Sequence, residues 1–320
     1  MSSTPPPFLL CTSTYISDSP VRSLACAKGW VHVGNQQPPF LVSVNLNTKE
    51  RIDYPTLPVS NQVTAVLPII SNDNTTLLIG SLDNNIYKVD TSTQTSVGVY
   101  PGHQHGVISL CLSSTSPNEF FSGSWDGTCR RWSLDPPELL DTLQGHTNGV
   151  SVRHHACGSL VTSDTGSAEP GTSKLRVWNL DADGRYVVAQ ELVPHSGPIR
   201  GLCLPNAVDV RCPVVTCGND GQVTFVDVNA GGDTRGVIDR VQTDATYLLD
   251  VDCFGTSGGC CAGNVDGSLL ILESSSCSQS ILHPGTVWCV SGQGHDVVTG
   301  CHDGVVRSFT RDAGRVAGEE

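Results

Sequence analysis

The chain has 320 residues, of which 15% are charged and 38% hydrophobic, and its formal net charge is −13. That length supports one large core within a single ring-shaped domain. The acidic balance speaks against nucleic acid or an anionic membrane as the main partner, and no apolar run is long enough to span a bilayer. The opening MSSTPPPFLLCTST lacks a basic region and a cleavage pattern, so no signal peptide is expected. The cysteines number 14 and are scattered, often inside apolar stretches such as those around Cys111, Cys203 and Cys253. They read as small buried thiols of a reducing compartment, which gives a cytoplasmic expectation with the nucleus also open.

Residues 1–7 are Pro-rich and read as a disordered tail. Phe8 to Ile16 follows as a strand that belongs to no repeat of its own. Seven apolar segments then recur, beginning at Val21, Val63, Val107, Val150, Ile199, Leu248 and Val287, with spacings of 42, 44, 43, 49, 49 and 39 residues. Each is followed by a second strand, a turn and a third strand. Asp-Gly or a related pair occupies the turn in most repeats, because Gly accepts a positive φ at no steric cost. The pairs are Asp83-Asn84, Asp126-Gly127, Asp220-Gly221, Asp266-Gly267 and Asp303-Gly304. The first repeat has Asn35 to Pro39 at its turn instead, and the fourth a longer loop, Ser163 to Ser173. The period and the strand count predict an all-β, seven-bladed propeller over residues 8–310, with a C-terminal tail at 311–320.

The seventh repeat has only three strands before the tail. The surplus strand Phe8 to Ile16 supplies the fourth, so the two ends of the chain pair and close the ring. In the third repeat His103, Ser122, Asp126 and Trp132 stand where four polar groups can satisfy one another: the His bonds the turn Asp, the Ser reaches the His, and the Trp N–H reaches the Ser. Four residues before each inner strand stand Ser17, Val59, His103, His146, His195, Asp244 and His283, so the arrangement is incomplete elsewhere. The fifth repeat keeps His195, Thr216 and Asp220 with Val226 in place of Trp. The seventh keeps His283, Thr299 and Asp303 with Phe309. Arg153 stands where the other inner strands carry Leu or Val.

The Gly-His, Ser, Asp, Trp order of residues 102–132 resembles one blade of a WD40 propeller. Beyond that, SGSWDGTCRRW followed by DTLQGHTNGV, the closing stretch ILHPGTVWCVSGQGHDVVTGCHDGVVRSFT with Trp288, and the strands SPVRSLAC and SGPIRGLCLP are similar to the PLAA-type ubiquitin-binding WD-repeat proteins. The resemblance covers most of residues 8–310 and is sharpest in blades three, four, five and seven. It implies an adaptor in ubiquitin-dependent, AAA-segregase-linked protein degradation. The partner it implies is ubiquitin or ubiquitinated proteins, bound on the face carrying the turns between second and third strands. In that family two further domains normally follow the propeller, and one docks on the segregase, valosin-containing protein. With the chain ending at Glu320, either this is a fragment or those activities are missing.

The loops before the inner strands and the Asp-Gly turns share one face of a propeller. The residues just before each turn Asp are Leu82, Trp125, Asn219, Val265 and His302; Pro20, Gln62, Tyr247 and Thr286 stand just before inner strands. Their apolar members suit an apolar patch on a small globular partner, or else are ordinary turn residues, with Trp125 flat on a neighbouring blade. Arg22 and Arg200 either line the channel mouth or pack as structural arginines. A generic interaction scaffold that ignores ubiquitin remains the alternative, and a phosphopeptide reader would need more arginine on that face. The chain is read as a monomer that needs no cofactor.

Enzyme readings are weaker. Gly255 to Gly259 fits G-x-S-x-G, but a nucleophile elbow needs a strand-to-helix turn, and here the segment joins two strands. His154-His155 and His103/His105 lack paired Cys or carboxylates at metal-ligand spacing. A hydrolase would need an acid, a base and a nucleophile that converge.

Overall fold

A computed structural model describes residues 6–71, 75–166, 171–205, 213–228, 236–255, 259–273, 276–293 and 296–311. Among them the strands form seven four-stranded antiparallel sheets, and no helix is long and apolar enough to cross a membrane. The inner strands are Val21–Ala27, Val63–Ile70, Val107–Leu112, Val150–His154, Ile199–Cys203, Leu248–Phe254 and Val287–Gln293. Each begins where the repeat places it. Six sheets use four consecutive strands. The seventh is ordered Leu9–Tyr15, Val305–Thr310, Asp296–Cys301, Val287–Gln293.

That last sheet closes the ring as expected. Leu9 pairs with Thr310 and Tyr15 with Val305. Ile16 N–H donates to the Gly304 carbonyl at 2.8 Å. Gly304 has φ +72°, and a Cβ there would lie 1.7 Å from the Ser17 carbonyl oxygen, so only Gly fits the closing turn. Phe8 anchors the same segment to blade six. It packs edge-on against Phe254 with ring centroids 5.2 Å apart, and its N–H donates to Gln279 Oε1 at 2.8 Å.

Each blade is sandwiched between two others, so strands two and three are buried on both faces and read as near-continuous apolar runs. Leu77, Leu78 and Ile79 of strand Thr75–Ser81 are an example. The core is divided into seven wedges, one per blade–blade interface. Between blades two and three lie Leu78, Ile86, Tyr100, Phe120 and Trp132; between three and four, Cys111, Phe121, Leu160 and Trp178. Apolar side chains are exposed mainly on outer strands, as at Val97, Val99, Leu139, Leu140, Val187 and Val188.

One boundary differs from expectation. The segment Ser163 to Ser173 is not all loop, because strand Leu160–Asp164 extends into it and pairs Ser163 with Leu175. The physical reason lies at Asp164, whose carboxylate is held by His146. Residues 167–170 of that loop, Thr256 to Gly258 of the G-x-S-x-G match, and residues 1–5 and 312–320 of the tails lie outside the described residues.

Candidate partner-binding face and central channel

The side-chain network expected in blade three is present. His103 Nδ1 lies 2.7 Å from Asp126 Oδ2 and Nε2 lies 2.7 Å from Ser122 Oγ, while Trp132 Nε1–H donates to Ser122 Oγ at 2.8 Å. Burial lowers the pKa of His103, which favours the neutral ring. Its Nδ1–H then donates to Asp126, and the Ser122 hydroxyl donates to Nε2. Burial alone would raise the Asp126 carboxyl, but hydrogen bonds from His103, Thr128 and the Gln104 N–H outweigh it and hold the group below the usual carboxylate range. The network fixes the turn, and so the placement of Trp125 one residue earlier.

Blade four carries a second complete network that the sequence reading missed. His146 bonds Asp164 at 2.7 Å and Thr162 Oγ1 at 2.6 Å, and Trp178 Nε1–H donates to Thr162 at 2.8 Å. Asp164 escaped notice because no Gly follows it. In blade five His195 bonds Asp220 and Thr216. Blade seven departs from expectation. His283 bonds Thr299 at 3.1 Å, but Asp303 turns away to Arg307, with Nη2 to Oδ2 at 2.6 Å. A guanidinium four residues on outcompetes a neutral imidazole for the carboxylate.

Most of the residues assigned to the turn face stand in backbone-bonded turns of one kind; Pro20 and Arg22 of blade one do not. Leu82 N–H donates to the Gln62 carbonyl at 2.9 Å, Val265 to Tyr247 at 3.1 Å and His302 to Thr286 at 2.9 Å. Trp125 donates to Gly106 and Asn219 to Pro198 in the same way, and Thr165 to Gly149 is the equivalent in blade four. Exposure divides them. Trp125 is 45% exposed, Tyr247 49% and Val265 36%, and His302 is also exposed. Pro20, Arg22, Gln62, Leu82, Asn219 and Thr286 are half-buried. Trp125 rests against blade four, where a Cβ at Gly149 would come 2.9 Å from its Cε3, and still leaves its outer face to solvent. Asn219 is occupied, since its Oδ1 accepts from Arg200 Nε at 2.9 Å.

Inside this rim, the second residue of each inner strand lines the mouth of the central channel. These are Arg22, Thr64, Ile108, Ser151, Arg200, Leu249 and Trp288, around a cavity of about 210 Å³. Arg22 and Arg200 therefore line the mouth. The Arg22 guanidinium stacks 3.6 Å over the Trp288 ring, and Trp288 Nε1–H donates to His302 Nδ1 at 3.3 Å. Arg200 Nη1 also donates to the Thr165 carbonyl at 3.1 Å. Arg153, for which the sequence offered no role, lies one layer deeper in the same channel and donates from Nη1 to Ser109 Oγ and the Val152 carbonyl.

Neighbouring inner strands are stitched together by side chains that bond the next strand's backbone. Ser23 Oγ reaches the Val63 carbonyl, Thr64 Oγ1 the Val107 carbonyl, and Ser109 Oγ accepts the Val152 N–H at 3.1 Å. Blade six uses carboxylates: Asp250 accepts the Val290 N–H at 3.0 Å and Asp252 the Gly292 N–H at 2.9 Å. Burial raises the Asp250 carboxyl to about 7 and Asp252 also above its ordinary value. The alternating acids in the apolar strand LLDVDCF were the available signal for them.

Residues 94–133 match the family model described as WD domain, G-beta repeat. The fold is a WD40-repeat propeller. The matched span begins at the outer strand of blade two and ends with the third strand of blade three. The WD40 propeller domain of Doa1 aligns with a TM-score of 0.78 over 97% of this chain and 99% of that one; at 20% identity the likeness is one of fold. Among curated proteins, Nuclear distribution protein PAC1 of Yarrowia lipolytica is 31% identical over 166 residues, 51% of this chain and 34% of that protein. Ribosome biogenesis protein YTM1 of Ajellomyces capsulatus is 26% identical over 164 residues, 51% of this chain and 31% of that protein. The matched half of the chain thus spans about a third of the length of these relatives.

Among the described residues no group of three or more His, Cys, Asp or Glu side chains is arranged to hold a metal ion. His154 instead bonds Ser114 and the Tyr186 hydroxyl.

Proposed function

We propose that this WD40 propeller is a non-enzymatic interaction module, and that its turn face binds ubiquitin or ubiquitinated proteins. The observation that carries the reading is the rim of exposed Trp125, Tyr247 and Val265 around the channel mouth, with Trp288 just inside it. Large apolar side chains on a rigid scaffold, set beside polar groups, form the usual core of a protein–protein contact. Acting on a small globular partner, they would bury an apolar patch while the acidic surface keeps the propeller soluble. The resemblance of blades three, four, five and seven to PLAA-type proteins supports the choice of ubiquitin. The Doa1 propeller, from a member of that family, shares the fold. On this reading the domain occupies residues 8–310 and acts as a monomer in the cytoplasm, with the nucleus also open to it. Coupling to an AAA segregase would require domains beyond this propeller.

A second reading is a scaffold that ignores ubiquitin. It is favoured by curated relatives named for nuclear distribution and ribosome biogenesis.

A titration of isotope-labelled monoubiquitin separates the two. Shifts confined to ubiquitin's apolar patch, and weakened by Trp125→Ala and Val265→Asp, are the expected result. Shifts insensitive to both substitutions would move the site off this face. No shifts at near-millimolar propeller would overturn ubiquitin binding and leave the scaffold reading.

A further inference from the structure

The central channel gathers three arginines in a chain of net charge −13. Arg22 and Arg200 stand at its mouth on opposite sides of the ring, in blades one and five, and Arg153 lies beneath them in blade four. Arg22 and Arg200 make no ion pair with a described carboxylate, whereas Arg51, Arg131, Arg176, Arg307 and Arg311 all do; Arg153 lies within the field of the Asp250 and Asp252 carboxyls of blade six. Arg22 Nε is buried and meets no hydrogen-bond partner among the described residues. Partial burial lowers the pKa of Arg22 and of Arg200, in keeping with two guanidinium groups that line the channel mouth with no carboxylate bonded to them. Guanidinium groups with unengaged N–H donors in a cavity are ready partners for an incoming anion.

The donors are held in place. Stacking on Trp288 fixes the plane of Arg22 and leaves its in-plane N–H groups free of that ring. Asn219 and the Thr165 carbonyl pin Arg200 through Nε and Nη1, and its Nη2 is not engaged by a described residue. Arg153 is held through Nη1 alone. Asp250 also lines the channel, but the Val290 and Val251 N–H groups occupy its carboxylate.

We infer that the channel mouth is a binding site for a phosphate-class oxyanion, free or carried as a phosphomonoester, held between the guanidinium groups of Arg22 and Arg200 with Arg153 below. Guanidinium forks match the oxygens of a tetrahedral anion, and more than one fork favours a dianion over a carboxylate. The cavity of about 210 Å³ has room for such a group with water around it. Threonine and serine hydroxyls at Thr64 and Ser151 complete a polar ring at the same level. The site stands apart from the ubiquitin reading and does not depend on it.

The test is isothermal titration with inorganic phosphate, then with a phosphoserine peptide, at ionic strength held constant with sodium chloride. Saturable one-to-one binding of phosphate is expected, with a dissociation constant on the order of 1 mM. Arg22→Gln and Arg200→Gln should each weaken it by about tenfold or more. Ser151→Asp, which removes no arginine and adds a carboxylate to the mouth, should abolish it. Arg185→Gln, on an exposed turn, should leave it unchanged. A peptide that binds about tenfold tighter than phosphate assigns the carried group, and equal affinity assigns the free anion; either supports the site. Heat that tracks ionic strength alone, or binding that survives the Arg22→Gln, Arg200→Gln double variant with its circular dichroism unchanged, would overturn it. The monoubiquitin titration reads the rim separately, so the two ideas fail independently.

Discussion

Asp250→Asn should make the propeller more stable as pH rises. The carboxylate stands third in the inner strand of blade six, where it accepts the Val290 N–H of blade seven at 3.0 Å. Burial raises its pKa to about 7; the nearby Asp252 adds to this, while the Val290 N–H and the Arg153 guanidinium oppose it. In the unfolded chain the group titrates near 3.9. The folded pKa is the higher one, so the stabilising contribution is complete below about pH 4 and is lost as pH climbs through 7. A gap of about 3 units corresponds to a ceiling of about 4 kcal/mol. Asp250 faces the channel and is only half-buried by surface area, so water there screens the charge, and about 2 kcal/mol is the better figure. The Asn amide oxygen still accepts the Val290 N–H but never ionises. Urea unfolding of both proteins at about pH 5 and about pH 9 reads the effect, since every other titrating group is common to the pair and cancels. The variant's advantage should grow by roughly 1 kcal/mol between those limits, because about a third of the window lies below pH 5. Parallel pH curves would refute the reasoning and mean that Asp250 ionises at an ordinary value.

Ser122→Ala should cost about 2–4 kcal/mol in urea unfolding, because it leaves His103 Nε2 and Trp132 Nε1 buried without their shared partner. Thr299→Ala in blade seven, where His283 is the only ring to lean on that hydroxyl, should cost clearly less. Gly304→Ala should loosen ring closure, since a Cβ would sit 1.7 Å from the Ser17 carbonyl oxygen. Limited proteolysis should then cut between Tyr15 and Val21 well before any other site, and an unchanged digestion pattern would contradict the closure argument.

Ring closure and the turn face could be read from residue order because one follows from counting strands and the other from local turn rules. A surplus strand at one end and a deficit at the other have one economical solution. Turn residues at fixed offsets from each inner strand also fall on one face of any propeller. The exposed members Trp125, Tyr247 and Val265 were among those residues, but Asn219 and Leu82 were indistinguishable from them until packing turned one onto Arg200 and half-buried the other. The Asp303–Arg307 pair shows the same limit: spacing supplies candidates for a hydrogen bond, and competition among neighbours chooses between them.

The sequence by itself determined the blade count, the start of every inner strand, the closure by residues near Phe8 and the network around His103. The first two and the network rest on spacing within a repeat, and the closure on a count of strands at the two ends of the chain. Only the tertiary structure decided what lies between repeats. Residues 22, 153 and 200 belong to three different repeats, yet share one channel because the ring points one face of every inner strand at a common axis. Likewise Asp250 and Asp252 look like errors in an apolar strand until the next blade's N–H groups are seen to meet them. Packing around an axis brings together side chains that no local pattern links, and the charge and hydrogen-bond balance of the channel belongs to that geometry.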